Sequence, residues 1–148
     1  MTATAHALVG GAIAASVQDP AIGVTLAFVS HPLLDMIPHW DLGIGWRGKN
    51  KVTLLIESGM DLIFGILLAY FIFGRGVEPF YFLACIFASE IWDLMMMPYL
   101  LWGWNKPFST AYHIQSKMQT NTKGILAGIL TQVGTVMVIS LALRTVRF

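Results

Sequence analysis

Charged side chains and cysteine are both scarce in this sequence. Only 11% of its 148 residues are charged, whereas an ordinary soluble domain carries about 25%. A soluble fold of this size could not cover its surface with so little charge, so the composition excludes one. The single cysteine, Cys85, excludes an intramolecular disulfide and a thiolate metal cluster. With a net charge of +1 the chain has no basic surface for nucleic acid, and we expect no such partner.

Apolar side chains, in contrast, make up 56% of the sequence. Runs of about twenty apolar residues occur at 52–74, 79–102 and 124–143, and each is long enough to cross a hydrocarbon core of about 30 Å. The sequence therefore predicts an all-α integral membrane protein. We expect one transmembrane domain over residues 1–148, built as a bundle of about five helices.

Cap residues and prolines set the predicted helix boundaries. Asp19 and Glu78 each precede a proline and are typical of residues that cap the start of a helix. The amino-terminal apolar segment has no basic residues before it, unlike a cleaved signal peptide, so we expect it to remain in the protein. The first two segments are short, and they either cross the membrane or form a re-entrant hairpin. The predicted helices are Ala3–Val17, Ala21–Ile37, Lys51–Gly74, Pro79–Trp102 and Thr122–Leu143.

If all five segments cross the membrane, the connecting loops alternate between two faces. We define face X as the face that holds the amino terminus and the segments 38–51 and 103–123, and face Y as the opposite face. Most lysines and arginines then lie at face X, which the positive-inside bias makes cytoplasmic. They are Arg47, Lys49, Lys51, Lys106, Lys117 and Lys123. Tryptophan prefers the membrane interface, and most of it also lies at face X. These residues are Trp40, Trp46, Trp102 and Trp104.

The same assignment to two faces puts most of the residues that could bind a metal ion at face X. Each of the pairs His31 with Asp35, Glu57 with Asp61, and Glu90 with Asp93 has the spacing of one helix face. An ionisable group within a membrane segment costs about 2.5–3.5 kcal/mol, and such groups usually mark a functional site. A divalent ion held by imidazole and carboxylate groups would offset that cost. The candidate ligands are His6, His31, Asp35, His39, Asp61, Asp93 and His113.

The remaining polar residues at face X suggest catalytic roles. Glu57 and Glu90 are candidates for a general base, and we expect Glu57 ahead of Glu90. Lys49, Lys51 and Lys117 are candidates for binding the phosphate of a substrate head group. The alternative without metal is that the acids pair with lysines or with a histidine near the interface.

The segment Ser30-His31-Pro32-Leu33-Leu34-Asp35-Met36-Ile37-Pro38-His39-Trp40-Asp41, preceded by His6 with Gly10 four residues on, resembles a known family. It is similar to the membrane-bound metal-dependent hydrolases of bacteria and archaea, which include the LexA-regulated inner-membrane hydrolases and are distantly similar to zinc-dependent phospholipase C. The resemblance implies His6, His31, Asp35 and His39 as ligands of a divalent metal, zinc ahead of manganese or iron. It also implies a prokaryotic cytoplasmic (inner) membrane. The family's later Arg-Gly-x-Thr-His-Ser motif is echoed only in part, at residues 112–116.

Together these features lead us to expect a metal-dependent hydrolase that acts on a lipid phosphoester at the membrane interface, with membrane lipid as its partner. A divalent-cation transporter or metal-binding membrane protein, and a structural membrane subunit, are the alternatives. Gly124 and Gly128 have the small-residue spacing of packed membrane helices, which predicts a homo-oligomer contact.

Overall fold

A computed structural model describes residues 1–42 and 48–145 of the chain. This part folds into six α-helices and contains no β-strand, which confirms the all-helical prediction. The predicted count of about five is not confirmed, because α5 is an additional helix. The helices are α1 (Ala3–Ser16), α2 (Pro20–Asp35), α3 (Lys51–Phe73), α4 (Pro79–Trp102), α5 (Phe108–Met118) and α6 (Ile125–Thr145). Trp46 and Arg47, which the sequence assigned to face X, lie outside the described residues.

The ends of the helices follow the cap residues of the sequence. Asp19 accepts hydrogen bonds from the backbone N–H groups of Ala21 and Ile22, at 2.9 and 3.1 Å, and so caps α2. Glu78 accepts from Phe80 and Tyr81 in the same way and caps α4. Both predicted caps are therefore confirmed. The bounds of α4 are those predicted, and the other four predicted helices differ by at most a few residues at their ends.

The additional helix, α5, lies within the segment that the sequence assigned to a loop. It has 11 residues, so it is too short to produce a membrane-spanning apolar run. Its sequence mixes polar and apolar side chains, and only Ala111 and Gln115 are buried. Because one short stripe of the helix is buried against the bundle, its sequence does not stand out from that of a polar loop.

The short apolar helix α1 is the centre of the bundle, where it packs against α2, α3, α4 and α6. Most of its side chains are buried, and many are glycine or alanine. A Cβ atom at Gly10 would lie only 2.8 Å from Ser89 Oγ and 2.9 Å from the carbonyl oxygen of Cys85. Glycine at this position therefore allows the close approach of α1 to α4, as small residues do in membrane bundles.

Three helices, α3, α4 and α6, are long and apolar enough to cross a membrane. Their outward side chains are apolar and largely exposed, as at Phe71 and Phe80. Such a surface is unstable in water and suits contact with lipid chains. The structure thus supports a membrane protein, in agreement with the composition.

The segment after α2 is held by the segment after α5. The backbone N–H of His39 donates to the carbonyl oxygen of Thr120 at 3.1 Å, and that of Thr122 donates to the carbonyl oxygen of His39 at 2.7 Å. From α6, Gln132 Nε2 donates to the carbonyl oxygen of Trp40 at 2.6 Å. Gly128 of α6 lies against the backbone of Trp40, where a Cβ would be 2.4 Å from its nitrogen. Gly128 therefore allows α6 to pack closely against Trp40 of the same chain. The oligomer contact through Gly124 and Gly128 stays a prediction.

Candidate metal centre

His6, His31 and Asp35 form a buried group at the centre of the bundle. Each offers one ligand atom, and these atoms all lie within 4.8 Å of one another. His6 Nε2 lies 3.2 Å from Asp35 Oδ1, and His31 Nε2 lies 3.4 Å from Asp35 Oδ2. The two imidazole rings are stacked, with their centroids 3.8 Å apart. We call these three residues the metal group.

Helix geometry explains how the metal group assembles. His31 and Asp35 are one turn apart near the end of α2, so their side chains lie on the same helix face. His6 is in the first turns of α1, which packs beside α2. The antiparallel course of two consecutive helices therefore brings the start of α1 to the end of α2.

The hydrogen bonds of His31 orient its ring toward Asp35. Its Nδ1 lies 2.5 Å from the carbonyl oxygen of Ser89, an atom that only accepts hydrogen bonds, so Nδ1 must carry the proton. In a neutral imidazole, Nε2 then has a lone pair, which faces the carboxylate of Asp35. Two acceptors that face each other repel unless a cation or a hydrogen-bond donor lies between them, and Gln115 Nε2 contacts both atoms. This arrangement is typical of histidines that bind metals.

His39 repeats the same arrangement on the other side of Asp35. Its Nδ1 donates to the carbonyl oxygen of Ile37 at 2.8 Å. Its Nε2 lies 3.8 Å from Asp35 Oδ1 and 3.5 Å from Asp41 Oδ2. The turn after α2 thus brings His39 back to the metal group. Asp41 Oδ1 is buried and makes no hydrogen bond to the described residues.

Asp93 approaches the metal group from α4. Its Oδ1 lies 3.6 Å from His31 Nε2, and its side chain is 33% exposed. The predicted ligands His6, His31, Asp35, His39 and Asp93 are therefore linked by contacts of less than 4 Å. These residues come from α1, α2, α4 and the segment after α2. Histidine and carboxylate groups together form a donor set that suits a divalent transition metal.

Gln115 also contacts the metal group, and it was not predicted. Its Nε2 lies 2.8 Å from His31 Nε2 and donates to Asp35 Oδ2. Gln119, one turn later in the chain, donates to Asp41 Oδ2 at 2.8 Å. The sequence signal was present in the partial motif at residues 112–116, where the expected ligand was His113.

His113 itself faces away from the metal group. It is exposed, and its ring lies near the rings of Tyr99 and Tyr112, with centroids 6.0 and 5.3 Å away. Gln115 is two positions further along α5 and therefore points to a different side of the helix. The partial motif at residues 112–116 thus contributes Gln115 to the surroundings of the metal group, instead of the predicted His113.

Two other predicted acids have partners outside the metal group. Asp61 Oδ2 accepts from the backbone N–H of Ala3 at 2.6 Å, and its Oδ1 accepts from Thr4 Oγ1 at 2.6 Å. Asp61 therefore caps the start of α1, where the helix dipole favours a negative charge. Glu57 Oε2 forms an ion pair with Lys49 Nζ at 2.5 Å.

The predicted phosphate-binding lysines are partly or fully exposed. Lys49 donates to the carbonyl oxygen of Leu42 at 2.5 Å in addition to its ion pair with Glu57. Lys51 and Lys117 are exposed. Their role in substrate binding stays a prediction.

Glu90 differs from the other acids because its Oε1 has no hydrogen-bond partner among the described residues. Its side chain is buried, at 2% exposure, and it lines a cavity beside the metal group. The cavity has a volume of about 540 Å³ and is also lined by Asp93 and Gln115. A buried carboxyl without a partner is costly, and such groups occur at functional sites.

The amino terminus lies within the same centre. The Met1 amino group contacts Asp35 Oδ1, and Gln132 Oε1 accepts from both the N–H and the hydroxyl of Thr2 at 2.9 Å. Asp35 is thus surrounded by nitrogen atoms from His6, His31, Gln115 and the amino terminus. The amino-terminal ammonium group is thus a cation in direct contact with this carboxylate.

Comparison with known proteins does not assign the chain. No family model matches it, and neither a curated protein nor a solved structure does.

Replacing Gln115 by alanine should weaken metal binding without abolishing it. Gln115 contacts both His31 and Asp35, and loss of a partner that orients ligands typically reduces metal affinity about 10- to 100-fold. Competition with a chelator of known affinity, on detergent-purified protein, measures this change. Thr110→Ala, an exposed change on the same helix, is the control and should keep the wild-type affinity. Equal affinities for the two variants would contradict this role of Gln115.

Proposed function

We propose that this chain is a membrane-embedded, metal-dependent hydrolase that acts on a lipid phosphoester at the membrane interface. The observation that carries the proposal is the buried metal group, in which His31 directs Nε2 at Asp35 while its Nδ1 donates to a backbone carbonyl. The resemblance of residues 30–41 to the membrane-bound metal-dependent hydrolases points to the same class.

The ligands of the proposed ion are His6, His31 and Asp35, with His39 and Asp93 within reach of the same carboxylate and imidazole atoms. Histidine with carboxylate favours zinc, and manganese or iron are the alternatives. A divalent ion in such a site supplies Lewis acidity and activates water at neutral pH. Ser89 and Ile37 hold the histidine rings in the required orientation through their carbonyl oxygens.

Glu90 is the proposed proton-transfer residue, in place of Glu57. Glu57 is paired with Lys49 at 2.5 Å, whereas Glu90 Oε1 is free of hydrogen bonds from the described residues and lines the cavity beside Asp93. A general base must lie within hydrogen-bond reach of the proton that it accepts. Glu90 lines the cavity that a substrate would enter.

The arrangement of apolar residues favours hydrolysis over transport. Val9 and Ile13 of α1 pack with Phe82 and Ile86 of α4, and all four are nearly or fully buried. These residues follow His6 and precede Glu90 in their helices, so they form an apolar layer on the face-Y side of the metal group. Transport sites need access from both faces and commonly lie where helices are broken.

Metal analysis of the detergent-purified protein, joined to an activity panel, tests the proposal. We expect bound zinc, manganese or iron, and hydrolysis of at least one phospholipid or phosphodiester. If the metal-loaded protein hydrolyses nothing but carries divalent ions into proteoliposomes, the result would contradict this proposal and favour the divalent-cation transporter. Protein that binds no metal would contradict both of these functions and favour the third alternative, a structural membrane subunit.

The proposal places face X, and with it the metal group, at the cytoplasmic side of a prokaryotic inner membrane. Five crossings by α1, α2, α3, α4 and α6 then put the carboxyl terminus outside, in agreement with the excess of lysine and arginine at face X. A carboxyl-terminal alkaline phosphatase fusion should therefore be active and the matching green fluorescent protein fusion dark. The reverse result would contradict the orientation.

A further inference from the structure

Gln119 belongs to a second group of potential metal ligands, next to the metal group. Its amide nitrogen lies 3.4 Å from His39 Nε2 and 2.8 Å from Asp41 Oδ2, and His39 Nε2 lies 3.5 Å from the same oxygen. Ligand atoms that share one divalent ion at about 2.1 Å lie about 3.0–3.4 Å apart in octahedral and tetrahedral sites. The spacing of these three atoms therefore suits such an ion. We call His39, Asp41 and Gln119 the second group.

The second group repeats the arrangement of the metal group. In each group, the Nδ1 of a histidine donates to a backbone carbonyl oxygen, and its Nε2 faces an aspartate. In each, the amide of a glutamine contacts both the imidazole and the carboxylate. Gln115 makes these contacts in the metal group, and Gln119, four positions later at the end of α5, makes them in the second group. What is inferred for one group therefore extends to the other.

The hydrogen bonds of the second group leave one acceptor unpaired. Asp41 Oδ1 is buried and has no partner among the described residues. The Asp41 side chain is only 9% exposed, and that of His39 is fully buried. A buried carboxylate with an unpaired oxygen is costly, and a cation bound by Asp41 would remove that cost. Gln119 could share the cation, because half a turn about the last bond of its side chain brings the amide oxygen to the place of the nitrogen.

Asp35 lies between the two groups. Its Oδ2 is 3.4 Å from His31 Nε2, and its Oδ1 is 3.8 Å from His39 Nε2. Two cations held on either side of Asp35 would repel each other, and the negative charge of its carboxylate would offset that repulsion. The metal group and the second group are therefore compatible as neighbouring cation sites.

The second group borders the same cavity as the metal group. Asp41 and Gln119 line this cavity of about 540 Å³. Gln115 and Asp93 also line it, and both contact His31 of the metal group. A substrate in the cavity would thus meet both groups.

We propose that the second group binds a second divalent cation, of the class of Mn²⁺, with lower affinity than the metal group. Two of its three ligand atoms are oxygen, which favours manganese over zinc. It offers one imidazole where the metal group offers two, and its amide carries no charge, so we expect it to bind more weakly. This inference rests on the proposed function, in which the metal group binds an ion. In phosphoester hydrolysis, paired ions can stabilise the attacking and the leaving oxygen.

Titration of Mn²⁺ onto the detergent-purified full-length protein tests this inference. Elemental analysis first gives the metal that co-purifies, and the electron paramagnetic resonance signal of free Mn²⁺ then gives the number of added ions bound per chain. We expect co-purified and added ions to total two per chain. Asp41→Ala should lower that total to one. Gln119→Ala should weaken the binding of the added ion by more than the 10- to 100-fold, roughly, that is typical when a lost residue only orients a ligand.

Gln18→Ala is the matched control for Gln119→Ala. Gln18 is an exposed glutamine between α1 and α2. This variant should bind two ions with the wild-type affinity. Equal affinities of Gln119→Ala and Gln18→Ala for added Mn²⁺ would overturn the inference. Asp41→Ala protein that keeps both ions would overturn it too, and so would Asp41→Ala protein that loses both, because the two groups would then form one site.

The same titration of His31→Ala separates this inference from the proposed function. This variant should lack the co-purified ion and still bind one added Mn²⁺, because His31 does not belong to the second group. Wild-type protein that binds one ion in total, and loses it in His31→Ala, would overturn the second site and leave the hydrolase proposal standing. If the bound ion depends on Asp41 and none depends on His31, the result would support the second site and contradict the hydrolase proposal.

Discussion

Replacing His31 by alanine is expected to remove the bound metal from the purified protein. His31 contributes a buried Nε2 that lies 3.4 Å from Asp35 Oδ2 and 3.6 Å from Asp93 Oδ1, so it is the residue that joins two carboxylates of the centre. Loss of a residue that only orients a ligand weakens metal binding about 10- to 100-fold. Loss of the ligand itself should exceed that range and leave only background metal.

His113→Ala is the matched control for this change. It removes the same side chain from an exposed position on α5, where the ring contacts Tyr99 and Tyr112. Its metal content should equal that of the wild type. Elemental analysis of both variants gives the result, and circular dichroism establishes that each is folded. Full metal in folded His31→Ala protein would show that the metal group is not the binding site.

The two ligands of α2 were predictable because the sequence distance between them is one helical turn. His31 and Asp35 must share a face of any helix that contains both, and the prolines around them limit where that helix ends. His6 required a further step, the expectation that consecutive helices run antiparallel. The structure brings all three within 4.8 Å of one another.

The roles of the α3 acids could not be read from spacing. Glu57 and Asp61 also lie one turn apart, yet each is held by a different partner, Lys49 for the first and the start of α1 for the second. Spacing establishes which side chains share a face but does not establish what that face packs against. The end of α1 that Asp61 caps belongs to another part of the chain, so the cap has no local sequence signal.

The sequence did not predict Gln115 as part of the site, for a different physical reason. Its neighbour His113 is the stronger metal ligand by residue type, and residues two apart on a helix point to different sides. Which of the two faces inward depends on the buried side of α5, and that helix was not predicted. Once the buried stripe of Ala111 and Gln115 is known, the choice between them is determined.

Glu90→Gln is expected to keep the metal and lose turnover. The change preserves the shape of the side chain but removes its ability to accept and release a proton. Glu90 does not belong to the metal group, so the metal content should equal that of the wild type. The rate of hydrolysis of the responsive phosphoester should fall about 10²- to 10⁴-fold, the usual contribution of a general acid or base.

Two further variants make this result specific. Glu78→Gln changes the exposed cap at the other end of α4, where the carboxylate accepts from Phe80 and Tyr81, and should keep wild-type turnover. Glu57→Gln tests the residue that sequence spacing favoured and that the structure pairs with Lys49. A large loss of turnover in Glu57→Gln, together with an active Glu90→Gln, would return the role of base to Glu57. A loss of metal in Glu90→Gln would instead make Glu90 a ligand, because a residue that only transfers protons has no reason to hold the ion in place.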